Sequence, residues 1–173
     1  MKKFYIATDQ AGYALKAYVK DYVKSLGYEI IDLGPDSADR VDYPDFAKKC
    51  AEAVLADEGS FGILICGTGI GISIAANKVP GIRAALCHDT YTAKLTRQHN
   101  DANILCFGER VVGKGVIEDM IEAFASTEFE GGRHAGRVAK ICLLYTSDAA
   151  DDDTIVGVGG GGGGVGGGGG GGG

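Results

Sequence analysis

Residues 61 to 79 read Phe-Gly-Ile-Leu-Ile-Cys-Gly-Thr-Gly-Ile-Gly-Ile-Ser-Ile-Ala-Ala-Asn-Lys-Val. An apolar run ends in Cys66, alternate glycines follow at Gly67, Gly69 and Gly71, and a second apolar run begins at Ile72. The pattern predicts strand, tight turn and helix, with one reactive side chain at the strand's end. Glycines permit positive φ and let bare N–H groups approach a ligand. The first turn of a helix adds unpaired N–H groups and partial positive charge. Such a loop can hold a phosphate or the oxyanion of a reacting carbonyl. Glycine-rich turns are also ordinary α/β architecture, and a lone cysteine is often only a small apolar residue. The stretch alone leaves both readings open.

Two further runs carry side chains capable of chemistry. Arg97-Gln98-His99-Asn100-Asp101-Ala102-Asn103 is predicted to be a polar loop at the amino end of a buried strand. His99 has a pKa suited to proton transfer near neutrality, although Asn and Asp also build plain solvated turns. A loop at that end is far from the crevice at the strand's other end, so it can join a site there only across a subunit boundary. The other run is Glu130-Gly131-Gly132-Arg133-His134-Ala135-Gly136-Arg137. Arg133 and Arg137, four apart, share a helix face. Side by side their guanidiniums repel unless an anion bridges them, and the planar fork suits phosphate. A basic solvated face is the competing reading. Arg110 is a possible third cation of the set.

The elements that must position these residues follow from hydrophobic periodicity. Strands are expected at Phe4–Thr8, Tyr28–Leu33, Phe61–Cys66, Ile82–Cys87 and Asn103–Phe107. Helices are expected between them, with a long one over Val112–Ala125 and a short terminal one over Arg133–Ile141. Five apolar strands alternating with helices predict a three-layer α/β/α, Rossmann/flavodoxin-like fold with a five-stranded parallel sheet. Taking the flavodoxin-like strand order 2-1-3-4-5, the switch point falls between strands one and three, where ligands bind at the carboxyl ends. Those ends carry Asp9-Gln10 and Cys66-Gly67.

Of the 173 residues, 1–141 read as one such domain, whereas 142–173 are Asp- and Gly-rich. The tail begins Cys-Leu-Leu-Tyr-Thr-Ser-Asp-Ala-Ala-Asp, which resembles read-through of a sequencing adapter, and ends in nearly pure glycine. It is expected to be disordered, since glycine offers nothing to bury and much entropy to lose. The net charge is −6, and four of the acids behind it lie in the tail. A nearly neutral first domain gives no general electrostatic reason to bind nucleic acid or an anionic membrane. The five cysteines show neither C-x-x-C nor metal-ligand spacing, as expected of reduced cytosolic thiols. No stretch approaches the roughly 20 apolar residues of a membrane span, and the protein is expected to be cytoplasmic.

Four motifs in order resemble the signature of ribose-5-phosphate isomerase type B and the related galactose-6-phosphate isomerase subunits. They are Cys66-Gly67-Thr68-Gly69-Ile70-Gly71-Ile72-Ser73-Ile74-Ala75-Ala76-Asn77-Lys78, Asp42-Tyr43-Pro44, Arg97-Gln98-His99-Asn100-Asp101 and Glu130-Gly131-Gly132-Arg133-His134 with Arg137. The resemblance covers residues 1 to about 141. It implies interconversion of an aldose phosphate and a ketose phosphate through a cis-enediolate, with no metal and no cofactor. Cys66 would match the base that moves a proton between C1 and C2, with Thr68 and the helix start favouring its thiolate. The N–H groups of Gly67, Gly69, Ile70 and Gly71 would stabilise the enediolate. His99 would match the residue that opens the furanose ring. Asp9, Gln10, Asp42, Tyr43 and Asn100 would match sugar-binding positions, and Arg110, Arg133 and Arg137 the phosphate clamp. The resemblance further implies a homodimer or tetramer with the site shared between subunits.

One departure stands out. The family usually has Asp-His where this chain has Asp9-Gln10, and that histidine helps hold the phosphate. Gln10 can donate a hydrogen bond but carries no charge, so phosphate binding is expected to weaken by about 1–2 kcal/mol. A hexose 6-phosphate isomerase is the alternative within the class, and a non-catalytic sugar-phosphate binder the alternative outside it. A phospho-receiver domain requires an aspartate ending the third strand and a lysine ending the fifth; Cys66 and Gly108 stand there. A low-molecular-weight phosphatase requires an arginine six residues after the cysteine, where Ile72 stands.

Overall fold

The computed structural model describes residues 2–151, with side chains to residue 144. Strands β1 (Lys3–Thr8), β2 (Glu29–Asp32), β3 (Phe61–Cys66), β4 (Ala84–Leu86) and β5 (Ile104–Gly108) alternate with helices. The helices are α1 (Tyr13–Ser25), α2 (Tyr43–Ala56), α3 (Ile70–Ala76), α4 (Thr90–Asn100), α5 (Lys114–Ser126) and α6 (Arg133–Asp151). All strands run parallel, so each needs a crossover, and the helices cover both faces. Alternation along the strands divides the core. Phe4, Ile6, Phe61, Ile63 and Ile65 pack with Leu15, Val19 and Val23 of α1 and with Ile117, Met120 and Phe124 of α5. Ala7, Leu64, Cys66 and Cys106 face Ala47, Cys50 and Val54 of α2 and Ile72 of α3. The three-layer architecture is therefore as the periodicity predicts, and the Cys66 side chain belongs to the α2/α3 face.

The strand order is β2-β1-β3-β5-β4, not 2-1-3-4-5. The reason lies in burial. All five residues of β5 are buried, whereas β4 has three residues and none is fully buried. The longer, wholly apolar strand takes the central place and the short one the edge, where unpaired backbone costs least. The switch point between β1 and β3 survives the exchange, with Thr8 paired to Ile65. Its consequence is that the carboxyl end of β5, rather than β4, flanks Cys66, with Cys66 opposite Gly108.

Two expected boundaries also move. Residues 97–100 are the last turn of α4, not loop, and Asp101 closes the helix in the left-handed region at φ 48°. Asp is among the few residues that adopt this conformation readily. The cap holds because Asp101 N–H donates to the Arg97 carbonyl and Ala102 N–H to that of Thr96, 3.2 and 3.1 Å. The Arg97 side chain is buried rather than solvated. It pairs with Asp101 at 2.8 Å, donates to the Ala102 carbonyl, and lies 4.6 Å from the Phe61 ring centroid. Its shape and charge serve the core. Helix α6 continues past Ile141 to Asp151, so the tail's first ten residues extend a helix. The expectation of disorder over the glycine run falls outside the described residues.

Asp32, at the end of β2, fastens α1 to the sheet. Its carboxylate lies 2.9 Å from Lys16 Nζ and 2.8 Å from Lys20 Nζ, and accepts the Gly34 N–H at 2.9 Å. Lys16 is buried and donates as well to the Pro35 carbonyl. Burial pushes the Asp32 carboxyl up, but the bonds from Lys20, Lys16 and Gly34 outweigh it and bring the pKa below the usual value. A depressed folded pKa stabilises the fold above the unfolded carboxyl value of about 3.9. That stabilisation is lost as pH falls through the folded pKa. Asp32→Asn is therefore expected to cost about 1–3 kcal/mol at pH 7. Urea midpoints measured from pH 6 to pH 3 should fall less steeply in the variant than in the wild type.

Candidate active site

The crevice at the carboxyl ends of β1 and β3 is shaped by backbone packing. Gly69 adopts φ 78° between Cys66 and α3. A Cβ there would lie 2.7 Å from the Phe107 carbonyl carbon and 2.6 Å from Leu86 Cδ1. Only glycine satisfies both the positive φ and the contact. A Cβ on Gly108 would fall 2.5 Å from Thr68 backbone, so β5 also touches the loop main chain to main chain. Two hydrogen bonds fix the register: Glu109 N–H to the Cys66 carbonyl at 2.9 Å and Arg110 N–H to the Gly67 carbonyl at 3.1 Å. This brings the Arg110 guanidinium to within 3.3 Å of the Cβ position of Gly67.

Within that loop, Cys66 is 5 % exposed, and its Sγ accepts the Gly69 N–H at 3.1 Å. Thr68 is exposed, and its hydroxyl accepts the Ile70 N–H at 3.2 Å. Burial pushes the thiols of Cys50 and Cys87 up to about 12 and about 11, and raises that of Cys106 well above its ordinary value. Those three are core residues.

The loop's neighbours come from β1 and α2. Asp9 N–H continues the ladder to the Ile65 carbonyl, and Asp9 Oδ1 accepts the N–H groups of Ala11 and Gly12 at 2.9 and 3.1 Å. Gln10 Oε1 accepts the Val41 N–H at 3.1 Å, tying the 34–42 loop across the crevice mouth. Asp42 precedes α2 without its side chain capping the helix. Tyr43 lies over Gly71: a Cβ there would be 2.6 Å from Tyr43 Cζ. Asp9, Gln10, Asp42, Tyr43, Cys66, Gly67, Thr68, Gly69, Ile70, Gly71 and Arg110 therefore surround one end of the sheet.

His99, Asn100, Arg133 and Arg137 gather at the opposite end. β5 takes four residue steps from Ile104, beside the end of α4, to Gly108, opposite Cys66, which spans about 13 Å. His99 stacks on His134 with ring centroids 4.2 Å apart and planes at 12°. Gly131 and Gly132, at φ 64° and 52°, turn the chain so that Glu130 reaches back over this pair. Glu130 Oε2 lies 3.4 Å from His134 Nε2 and 4.0 Å from His99 Nε2. Burial lowers the His134 pKa, as do His99, Arg133 and Arg137, with Glu130 opposing them. Arg133 and Arg137 are exposed. His134 and Glu130 fall inside a recognised motif but were given no role by sequence reasoning. The Gly131-Gly132 turn was the available signal.

Among the described residues, His99, Glu130 and His134 are also the one group of side chains spaced for a metal, their ligand atoms lying within 4.8 Å of each other. Parallel rings do not direct two in-plane lone pairs at a single ion, so the group as arranged suits proton sharing better than coordination. A cavity of about 540 Å³ beside β4 includes Asn100 and Arg83 in its wall, while the Cys66 loop is not part of its lining. The crevice is the better site, because there reactive sulfur, backbone amides and polar side chains converge.

This arrangement of fold and loop is that of a sugar isomerase of the aldose–ketose class, and the comparisons agree. The Ribose/Galactose Isomerase family matches residues 4–141, and the chain belongs to it. The ribose-5-phosphate isomerase B of Escherichia coli is 48% identical over 141 residues, covering 82% of this chain and 95% of that protein. Of solved structures, the ribose-5-phosphate isomerase B of Clostridium thermocellum superposes with TM-score 0.82 at 53% identity, covering 84% of this chain and 99% of that one. The type B ribose 5-phosphate isomerase of Trypanosoma cruzi gives 0.81 at 50% identity, covering 84% and 99%. Among the described residues no helix is long and apolar enough to cross a membrane.

The close packing at Gly69 makes a steric prediction. Gly69→Ala is expected to destabilise the fold by about 1–3 kcal/mol. A denaturant midpoint unchanged from wild type would mean that the Phe107 and Leu86 contacts yield without cost.

Proposed function

We propose that the chain interconverts ribose 5-phosphate and ribulose 5-phosphate through a cis-enediolate. The observation that carries this reading is the Cys66 sulfur, held by the Gly69 N–H inside a loop of backbone amides at the switch point. In the open-chain aldose, the Cys66 thiolate takes the proton from C2. The electron pair moves into the C1–C2 bond and the carbonyl oxygen becomes the enediolate oxygen. Amides of Gly67, Gly69, Ile70 and Gly71 stabilise that charge as it develops. The O2–H proton passes to O1, and the Cys66 thiol returns its proton to C1, giving the ketose. The step balances with no electron acceptor and no cofactor. Thr68, Asp9, Gln10, Asp42 and Tyr43 line the sugar.

Ring opening requires a proton on the ring oxygen and removal of one from the anomeric hydroxyl, work suited to an imidazole near neutrality. His99 fills that role. Because His99 lies at the far end of its own sheet, a second protomer supplies it, together with Asn100, Arg133 and Arg137. Arg110 completes the phosphate clamp from the Cys66 side. The working form is therefore a homodimer, alone or within a tetramer, in the cytoplasm. The match of residues 4–141 to one family and the two-ended distribution of polar residues support this reading.

The Cys66→Ala variant is expected to keep its far-ultraviolet circular dichroism and its affinity for the sugar phosphate while kcat falls about 10³-fold or more. Substantial residual turnover would remove Cys66 as the base. Rates of the wild type on ribose 5-phosphate, allose 6-phosphate and galactose 6-phosphate decide the sugar. Absence of deuterium at C2 after incubation in deuterated water would mark a binder and not an enzyme.

A further inference from the structure

Tyr43 is fixed more firmly than a residue that only lines a sugar requires. It opens α2, with Pro44 in the same first turn, and Gln10 Oε1 accepts the nearby Val41 N–H at 3.1 Å. Ala47, one turn along on the same helix face, is buried in the core cluster that contains Cys66. Tyr43 thus stands at the crevice end of the face on which the cysteine lies. Its phenol rests on Gly71: a Cβ there would lie 2.6 Å from Tyr43 Cζ and 2.9 Å from both Cε2 and the hydroxyl oxygen. Gly71 lies within α3 and not at a positive φ, so its backbone does not call for glycine. Glycine inside a helix costs stability relative to alanine. The missing side chain serves the ring.

The donors around the sulfur are unequally free. Gly69 N–H is engaged by Cys66 Sγ and Ile70 N–H by the Thr68 hydroxyl. Among the described residues, the Gly71 N–H and the Tyr43 hydroxyl have no hydrogen-bond partner. A residue's nitrogen and Cβ are about 2.5 Å apart, so the Tyr43 hydroxyl oxygen lies within about 5.4 Å of Gly71 N. One oxygen at about 2.9 Å from each donor fits between them. From this geometry we infer that Tyr43 is a further catalytic residue: its O–H and the Gly71 N–H converge on the carbonyl oxygen that becomes the enediolate oxygen. The phenol keeps its proton throughout. As the C2–H pair moves into the C1–C2 bond, the C1–O1 π pair moves onto O1, where the hydrogen bond from Tyr43 strengthens. It weakens again once O1 takes the O2–H proton.

This inference deepens the isomerase reading and rests on it, yet the two fail differently. Tyr43→Phe keeps the ring on Gly71 and removes only the hydroxyl. On ribose 5-phosphate, kcat of the variant is expected to fall about 10²-fold, with KM within about two-fold of wild type. With substrate deuterated at C2, the isotope effect on kcat should be no smaller than in the wild type, because proton abstraction is the step slowed. An unchanged kcat would overturn the donor role, whether or not KM rises. A lowered kcat whose isotope effect vanishes would overturn it too, placing the loss in ring opening or release. Should the wild type act on allose 6-phosphate or galactose 6-phosphate instead, the ribose reading falls, and the same comparison on that sugar decides the role of Tyr43. A wild type that turns over none of the three overturns both.

Discussion

The site depends on one steric constraint, the backbone-to-backbone approach of the β5 terminus to the Cys66 loop. Phe107 main chain lies where a side chain on Gly69 would be, and Thr68 main chain where one on Gly108 would be. Removing two Cβ atoms lets the loop close against β5, and closure turns the Gly69 N–H onto the sulfur at 3.1 Å. The same closure sets the Glu109 and Arg110 N–H groups on the carbonyls of Cys66 and Gly67. Arg110 is thereby delivered to the crevice by strand register, not by a flexible loop. Such placement is rigid because strand ends are anchored by a buried core on both faces, and rigid anchoring is what positions a proton-transfer group to a fraction of an ångström.

A second constraint follows from the parallel topology. Every strand runs the same way, so each chain presents two unlike ends of the sheet. One gathers sulfur, amides and Arg110, and the other gathers His99, His134, Glu130, Arg133 and Arg137. The second set is basic and contains little that could act on a carbon acid. The imidazole among the described residues of the first is His88, exposed just after β4. In the proposed dimer, a two-fold pairing that set one end against the other would bring the two sets together, and such an isologous contact would make two sites at once.

Much of the architecture was legible in the sequence. Strand–helix alternation, the parallel sheet, the switch point between β1 and β3 and the motif at Cys66 all follow from apolar runs broken by glycine and proline. What was not legible followed from burial and long-range pairing. The assumed order did not use the local difference between β4 and β5, a run of small residues interrupted by Arg83 against one that is wholly apolar; their places are exchanged because only β5 can fill a position covered on both faces. Arg97 read as a polar loop residue because its partners, the ring of Phe61 and the Ala102 carbonyl, depend on the fold. Polar character likewise hid the last turn of α4, whose end is written by Asp101 in a left-handed conformation.

Gln10 shows how a departure from a family pattern can be absorbed. A histidine at this position would bring a positive charge, whereas the glutamine brings a carbonyl that accepts the Val41 N–H. The side chain thereby trades a ligand contact for a tie on the 34–42 loop, which leads directly into Asp42 and Tyr43. Tyr43 in turn is seated on Gly71, just after the Cys66 loop. On the proposed reading, the charge lost toward the phosphate would be set against firmer fixing of the loop that leads into Asp42 and Tyr43. The two effects act on different parts of the substrate. On that reading phosphate affinity is the part expected to weaken, while the contact of the Gly69 N–H with the Cys66 sulfur is untouched.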